Sequence, residues 1–120
     1  MSDAGDNPRG WLVLIGTDAG YSSLVRAALE HHGSARLLVL FGAHETFSFR
    51  PRPSTILVPG MPPGVIASIP QLEEMGIASR LASTAGLPGC YDGTVTELVE
   101  LWQRSFPSDR AHITVTNITA

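Results

Sequence analysis

The chain has 120 residues, a net charge of −3 and 43% hydrophobic residues, which fits one folded domain and not a disordered segment. It has no basic run, which disfavours a nucleic-acid partner, and no apolar run long enough to cross a membrane. Its single cysteine, Cys90, excludes an intrachain disulfide. We therefore expect a soluble, cytoplasmic protein with a flexible tail over residues 1–10 and one domain over residues 11–120.

The first predicted elements are a strand, a glycine-bearing turn and a helix. Trp11–Ile15 is apolar without alternation, which is typical of a strand buried on both faces. Gly16 and Gly20 follow, and a helical pattern then begins at Ser22 or Ser23. This order is typical of nucleotide-binding α/β domains, because the turn places backbone N–H groups and a helix N terminus where a phosphate could sit. The candidate cofactor loop is Gly16, Thr17, Asp18, Ala19 and Gly20.

The middle of the chain predicts further strands and one short helix. Leu37–Phe41 and Ile77–Ala82 are apolar strand candidates, and Thr55–Val58 is a candidate for an edge strand because prolines flank it. Val65–Met75 has helical spacing. Since proline clashes with the preceding turn of a regular helix, we expect the helix to begin near Pro70 or to kink there.

The last third of the chain predicts a capped helix and a final strand. Thr94 and Glu97 match a capping box, in which each side chain accepts a hydrogen bond from the other residue's backbone N–H. The helix should end at Phe106–Asp109, and Ile113–Val115 should form the last strand. The alternation of strands and helices predicts an α/β, three-layer, Rossmann-like domain with a mostly parallel five-stranded sheet.

Histidines and the cysteine supply few further candidates. His44 follows the second strand, at the sheet edge where open α/β sheets bind ligands. His31 and His32 end a helix and are interpreted as helix C-terminal cations and not as metal ligands. No histidine lies near Cys90 in the sequence to activate it, so we expect an inert thiol. The sequence predicts neither a metal site nor a self-contained catalytic constellation.

Five segments carry a resemblance to a known family: Leu14–Gly20, Leu40–His44, Pro53–Gly60, Ser79–Ser83 and Gly89–Leu98. In this order they resemble the NAD(P)-binding half of the ferredoxin–NADP reductase superfamily. Within it, the chain is similar to dihydroorotate dehydrogenase electron-transfer subunits and to flavodoxin and ferredoxin oxidoreductases. The last segment is similar to that family's "G-x-x-G-x-V-T-D-L" start of a helix.

The resemblance implies a nicotinamide-nucleotide-binding module of a flavin-dependent electron-transfer oxidoreductase. NAD(P) would be its cofactor, and FAD would be held by a flavin-binding domain or subunit that this sequence lacks, so we expect no activity from the chain alone. The implied contacts to the pyrophosphate are Gly16 to Gly20, and those to the adenosine ribose are Ala43 and His44. The implied contacts on the nicotinamide side are Ser83, Thr84, Tyr91, Asp92, Gly93 and Thr94.

Asp18 is the basis of an alternative hypothesis. Its negative charge would repel a pyrophosphate by about 1–4 kcal/mol in a partly solvated site. The alternative is a degenerate, nucleotide-free interaction domain that dimerises or docks on a partner protein, and a flavodoxin-like domain without a ligand is a third interpretation. The interaction domain would use an exposed apolar patch, and we accordingly predict a homo-oligomer. The predicted patch consists of Phe47, Phe49, Met61 and Tyr91.

Overall fold

The chain forms a five-stranded, fully parallel sheet with helices on both faces and a separate two-stranded antiparallel sheet. The computed structural model describes residues 11–33, 36–106 and 113–118. The predicted three-layer, Rossmann-like α/β domain is confirmed. In chain order the elements are β1 (Trp11–Thr17), α1 (Tyr21–Glu30), β2 (Arg36–Ala43), β3 (Arg52–Pro53), β4 (Ala67–Ser68), α2 (Pro70–Glu74), β5 (Ala78–Ser83), β6 (Tyr91–Asp92), α3 (Val95–Gln103) and β7 (Ile113–Asn117).

The central strands are apolar on both faces because each face is covered by helix. Successive side chains of a strand point to opposite faces. Leu14 and Val39 therefore pack with α1 and α2 in one core cluster, while Val13 and Leu38 pack with α3 in a second cluster. All four side chains are at most 1% exposed. A strand buried in this way needs helical connections, which explains why the sheet is parallel.

The strand order of the sheet is β6-β5-β2-β1-β7. The chain moves outward from β1 through β2, β5 and β6, and then returns to place β7 on the other side of β1. All carboxyl ends consequently lie at one edge of the sheet. Ligands of open α/β sheets bind at this edge, beside the point where the strand order reverses. Here the reversal lies between β1 and β7, where the Ile118 N–H donates to the Ile15 carbonyl at 2.8 Å.

One expectation about the middle of the chain is wrong, and the expected start of a helix near Pro70 is confirmed. Thr55–Val58 is not a strand, and the fifth strand of the sheet is instead the two-residue β6. The helix predicted within Val65–Met75 is only α2, with Pro70 in its first turn, where proline's missing N–H costs nothing. Ile66, which has helical spacing, precedes this helix and is 51% exposed. The predicted tail and residues 107–109 of the predicted helix-ending segment lie outside the described residues.

A buried arginine contacts the Thr55–Val58 segment, which lies outside the sheet. Arg80 lies on β5 and is only 6% exposed. Its guanidinium donates three hydrogen bonds to backbone carbonyls: from Nε to Val65 at 3.2 Å, from Nη1 to Ser79 at 2.7 Å and from Nη2 to Ile56 at 2.6 Å. Burial lowers the pKa of Arg80, an effect partly offset by the negative charge of Glu73. The segment is thus held by a side chain in place of a strand ladder.

Glu73 on α2 holds the start of the same segment. Its carboxylate accepts hydrogen bonds from the Ser54 hydroxyl at 2.8 Å, from the Thr55 N–H at 2.7 Å and from the Thr55 hydroxyl at 3.0 Å. Desolvation on its own would raise the pKa of Glu73, but these hydrogen bonds and the charge of Arg80 outweigh it, and the pKa lies below its ordinary value. The carboxylate is therefore ionised at neutral pH and fixes the loop against α2.

We expect Arg80→Met to lower the free energy of unfolding by roughly 2–4 kcal/mol, because it leaves buried carbonyls without donors. Urea denaturation followed by circular dichroism measures this change. Arg52→Met is the control, since Arg52 is an exposed arginine whose ion pair with Glu74 spans 3.8 Å. Such surface pairs contribute about 0–1 kcal/mol. Equal losses in the two variants would contradict the role assigned to Arg80.

Candidate functional site

Three polar side chains meet at the carboxyl edge of the sheet, each directly after one of three neighbouring strands. Asp18 follows β1, His44 follows β2 and Thr84 follows β5. These residues are 26 and 40 positions apart in the sequence, and the parallel pairing of the strands brings them into contact. The structure thus places together candidates from three of the predicted loops.

His44 is the central residue of this group. Its backbone N–H donates to Asp18 Oδ1 at 3.3 Å, and its ring Nε2 lies 3.7 Å from Asp18 Oδ2. The other ring nitrogen, Nδ1, shares a hydrogen bond with Thr84 Oγ1 at 3.2 Å. The His44 side chain is 72% exposed and that of Asp18 is 47% exposed. A ligand arriving from solvent could therefore contact both side chains.

Asp18 adopts a backbone conformation that few residues tolerate. Its φ is +41°, and it is the only non-glycine residue with positive φ in the part of the chain that the structure describes. Asp and Asn accept this left-handed region more readily than other side chains. The residue begins a 3₁₀ turn, Asp18–Gly20, that leads into α1. The turn directs the Asp18 carboxylate toward His44, across the ends of β1 and β2.

A small cleft lies between these strand ends and the N terminus of α3. Its volume of about 30 Å³ holds a few water molecules and no larger ligand. A ligand would therefore lie across the mouth of the cleft and replace water with its own polar groups. The lining residues are Thr17, Asp18, Gly42, Ala43, His44, Thr84, Gly93, Thr94 and Val95.

The remaining predicted site residues have structural roles in this arrangement. Gly16 is buried inside β1, where an added Cβ would approach Leu24 Cδ2 to 3.2 Å, so glycine allows α1 to pack closely. Gly20 is the N-cap residue of α1. Ser83 is 1% exposed, and its hydroxyl accepts the Ala85 N–H. Ala19 lies in the 3₁₀ turn, next to Gly20.

The loop before α3 is shaped by the predicted capping box, which is confirmed. The Thr94 hydroxyl accepts the Glu97 N–H at 3.1 Å, and the Glu97 carboxylate accepts the Thr94 N–H at 3.0 Å. Gly93 has φ +152°, and an added Cβ would collide with the Glu97 carboxylate and with the Tyr91 ring. Asp92 is exposed on β6. The N terminus of α3 is thus closed by its own side chains, whereas no side chain caps α1.

Sequence reasoning missed an apolar hollow beside this polar group. The hollow has a volume of about 360 Å³. Its lining side chains come from the loop after β2 and from the loop after β5, so no local sequence pattern identifies them together. They are Thr46, Phe47, Phe49, Pro51, Leu87 and Pro88.

The apolar patch predicted for an interaction domain differs from what is observed. The four predicted side chains are half-buried, and each packs against a core cluster. They are Phe47, Phe49, Met61 and Tyr91. Among the described residues, the large hydrophobic side chains that are exposed are instead Leu29, Leu57, Ile66, Met75 and Val115. These three aromatic side chains and one methionine side chain therefore lie at the periphery of the hydrophobic core.

Cys90 and the histidines give no sign of catalytic or metal chemistry in the described residues. Burial raises the pKa of the Cys90 thiol, which keeps it protonated and weakly nucleophilic. Between residues 11 and 118, leaving out 34–35 and 107–112, no three His, Cys, Asp or Glu side chains form a group that could hold a metal ion. In the same ranges, no helix has the length and apolar character to cross a membrane.

No protein-family model, no curated protein and no solved structure matches the chain. The resemblance to the ferredoxin–NADP reductase superfamily thus remains a prediction.

Proposed function

We propose that this protein is a nucleotide-binding module that holds a ribose-bearing cofactor such as NAD(H) across its carboxyl edge. The observation that carries the proposal is the convergence of Asp18, His44 and Thr84 at the ends of three adjacent parallel strands. In this proposal Asp18 accepts hydrogen bonds from ribose hydroxyls. In dinucleotide-binding folds the acidic side chain that binds ribose follows the second strand. Asp18 follows β1 instead, but its carboxylate reaches the end of β2, where it accepts the His44 N–H.

The charges of the cleft favour ribose over phosphate at this position. Asp18 and His44 are the ionisable side chains among its lining residues, and the chain has no lysine anywhere. A phosphate beside the Asp18 carboxylate would meet repulsion without an arginine or lysine in the lining to offset it. A ribose diol carries no charge and donates hydrogen bonds, which suits a carboxylate. The phosphates would extend away from Asp18.

In this proposal the chain itself does not bind a flavin, and a partner does. The chain would present the nicotinamide nucleotide to FAD held by a separate flavin-binding domain or subunit. Electron transfer would then be a property of that assembly. The described chain would accordingly show no reductase activity by itself when NADH, FAD and an electron acceptor are supplied.

Two variants of Asp18 test the proposal by titration calorimetry with NADH. Asn and Gly both tolerate the left-handed backbone of this position, so both variants should fold. If Asp18 holds the ribose, Asp18→Asn and Asp18→Gly should each weaken NADH binding by about tenfold or more, since a hydrogen bond to a charged group contributes about 1.5–3 kcal/mol. Glu45→Gln is the matched control, because Glu45 is an exposed carboxylate that does not line the cleft.

Two results would contradict this assignment. Tighter NADH binding in both Asp18 variants would show that a pyrophosphate lies at the turn and that the Asp18 charge opposes it. An absence of binding by the wild-type chain at millimolar NADH and NADPH would remove the nucleotide function altogether.

The edge strand β7 supports a second candidate function, that of a self-associating interaction domain. It pairs with β1 on one side, and within the described residues no strand pairs with its other side. Four of its five residues are exposed, and it carries no charge to oppose a copy of itself. Two copies related by a two-fold axis could pair antiparallel, with Val115 facing its own copy and threonines facing threonines.

Light scattering at increasing protein concentration tests this second function. We expect a dimer for the wild-type chain and a monomer for Val115→Lys, since a charge on an exposed edge strand blocks edge-to-edge pairing. Leu57→Lys is the control: Leu57 is 87% exposed but lies outside the sheet. A monomeric wild-type protein, or dimerisation that survives Val115→Lys, would reject pairing through β7.

A further inference from the structure

Short stretches of chain connect the apolar hollow to the polar group at the carboxyl edge. Thr46 follows His44 by two residues, and Leu87 follows Thr84 by three. An extended chain spans about 3.5 Å per residue, so the backbone separates the two sites by no more than about 7 Å on one side and about 10 Å on the other. One ligand of nucleoside size could therefore reach both.

Stacked aromatic rings form one wall of this hollow. Phe47 stacks on Phe49 with ring centroids 5.2 Å apart and planes inclined by 27°, and Phe49 stacks on Tyr21 at 5.0 Å and 24°. Tyr21 is the first residue of α1 and also contacts Phe41 edge-on at 5.2 Å. The stack is therefore anchored in the core through Phe41. Phe47 and Phe49 both line the hollow as well.

Two prolines also line the hollow, and its apolar, uncharged surface suits a planar ring. Pro51 and Pro88 contribute apolar surface with little conformational freedom to lose on binding. None of the six lining side chains is charged. The volume of about 360 Å³ falls within the range of small-molecule pockets, which are mostly apolar with a few polar groups nearby.

We propose that this hollow binds the planar heterocyclic base of the ligand, stacked on Phe47 and flanked by Pro88, while the attached ribose contacts Asp18 and His44. This inference rests on the proposed nucleotide-binding function and adds to it the position of the base. It makes the carboxyl edge a two-part site, with an apolar base subsite over the β2 and β5 loops and a polar ribose subsite over the β1 and β2 ends.

Titration calorimetry with ligands that carry different parts of a nucleoside tests this division. The probes are adenosine, adenine and ribose 5-phosphate. Phe47→Leu keeps an apolar side chain but removes the ring, so adenosine and adenine should each bind at least about tenfold more weakly, as expected when a base loses an aromatic partner. Ribose 5-phosphate should bind with unchanged affinity. Phe106→Leu is the control, because Phe106 is half-buried and contacts Trp102 in the other core cluster.

The outcomes separate this inference from the function on which it rests. Adenosine binding that is unchanged in Phe47→Leu but weakened in Asp18→Asn would overturn the base subsite and leave the nucleotide function intact. Adenine binding that depends on Phe47, together with adenosine binding that ignores Asp18, would support the base subsite and overturn the ribose contact. If a wild-type chain that binds NADH binds neither adenosine nor adenine, the base subsite is overturned, and if NADH does not bind either, both proposals fail. Thermal unfolding of each variant verifies that it is folded.

Discussion

The architecture depends on one constraint: β1, β2 and β5 must be buried on both faces. Strands with apolar side chains above and below need cover from two layers of helix, and the connections that supply it return each strand to the same direction. All the carboxyl ends then meet at one edge. Loops that share no sequence pattern become neighbours there, and this is why Asp18, His44 and Thr84 contact one another. The candidate site is in this sense a consequence of how the core is packed.

The sequence predicts those parts of the fold that depend on local chemistry. The apolar runs of β1 and β2, the capping box at Thr94 and the start of α2 at Pro70 are each visible in a few consecutive residues. The segment at Thr55–Val58 is rich in β-branched residues, which favours a strand, but its Ile56 carbonyl accepts a hydrogen bond from Arg80, a residue more than twenty positions away. No local pattern contains that information, because a single arginine in an apolar strand does not reveal which carbonyls it will meet.

The candidate site shows the same division. Asp18 and His44 could be nominated from the sequence by their places after strands, and the negative charge of Asp18 could be recognised as repelling a phosphate. Thr84 is indicated only by the family resemblance. The hydrogen bond that the Asp18 carboxylate accepts from the His44 N–H could not be predicted from the sequence, and neither could the positive φ of Asp18. The hollow formed by Phe47, Phe49 and Pro88 also depends on the pairing of β2 with β5. The structure thus changes the interpretation of Asp18 from an obstacle to phosphate into a candidate acceptor for ribose.

Nuclear magnetic resonance of the ¹⁵N-labelled chain during titration with NADH is the sharpest test of a nucleotide site, because it reports every backbone amide at once. If NADH binds at the carboxyl edge, chemical-shift changes should be concentrated at Asp18, His44, Phe47 and Thr84, with the amides of β7 unaffected. Shifts confined to β7 or to the opposite edge of the sheet, or no shifts at millimolar NADH, would contradict a nucleotide site at the carboxyl edge.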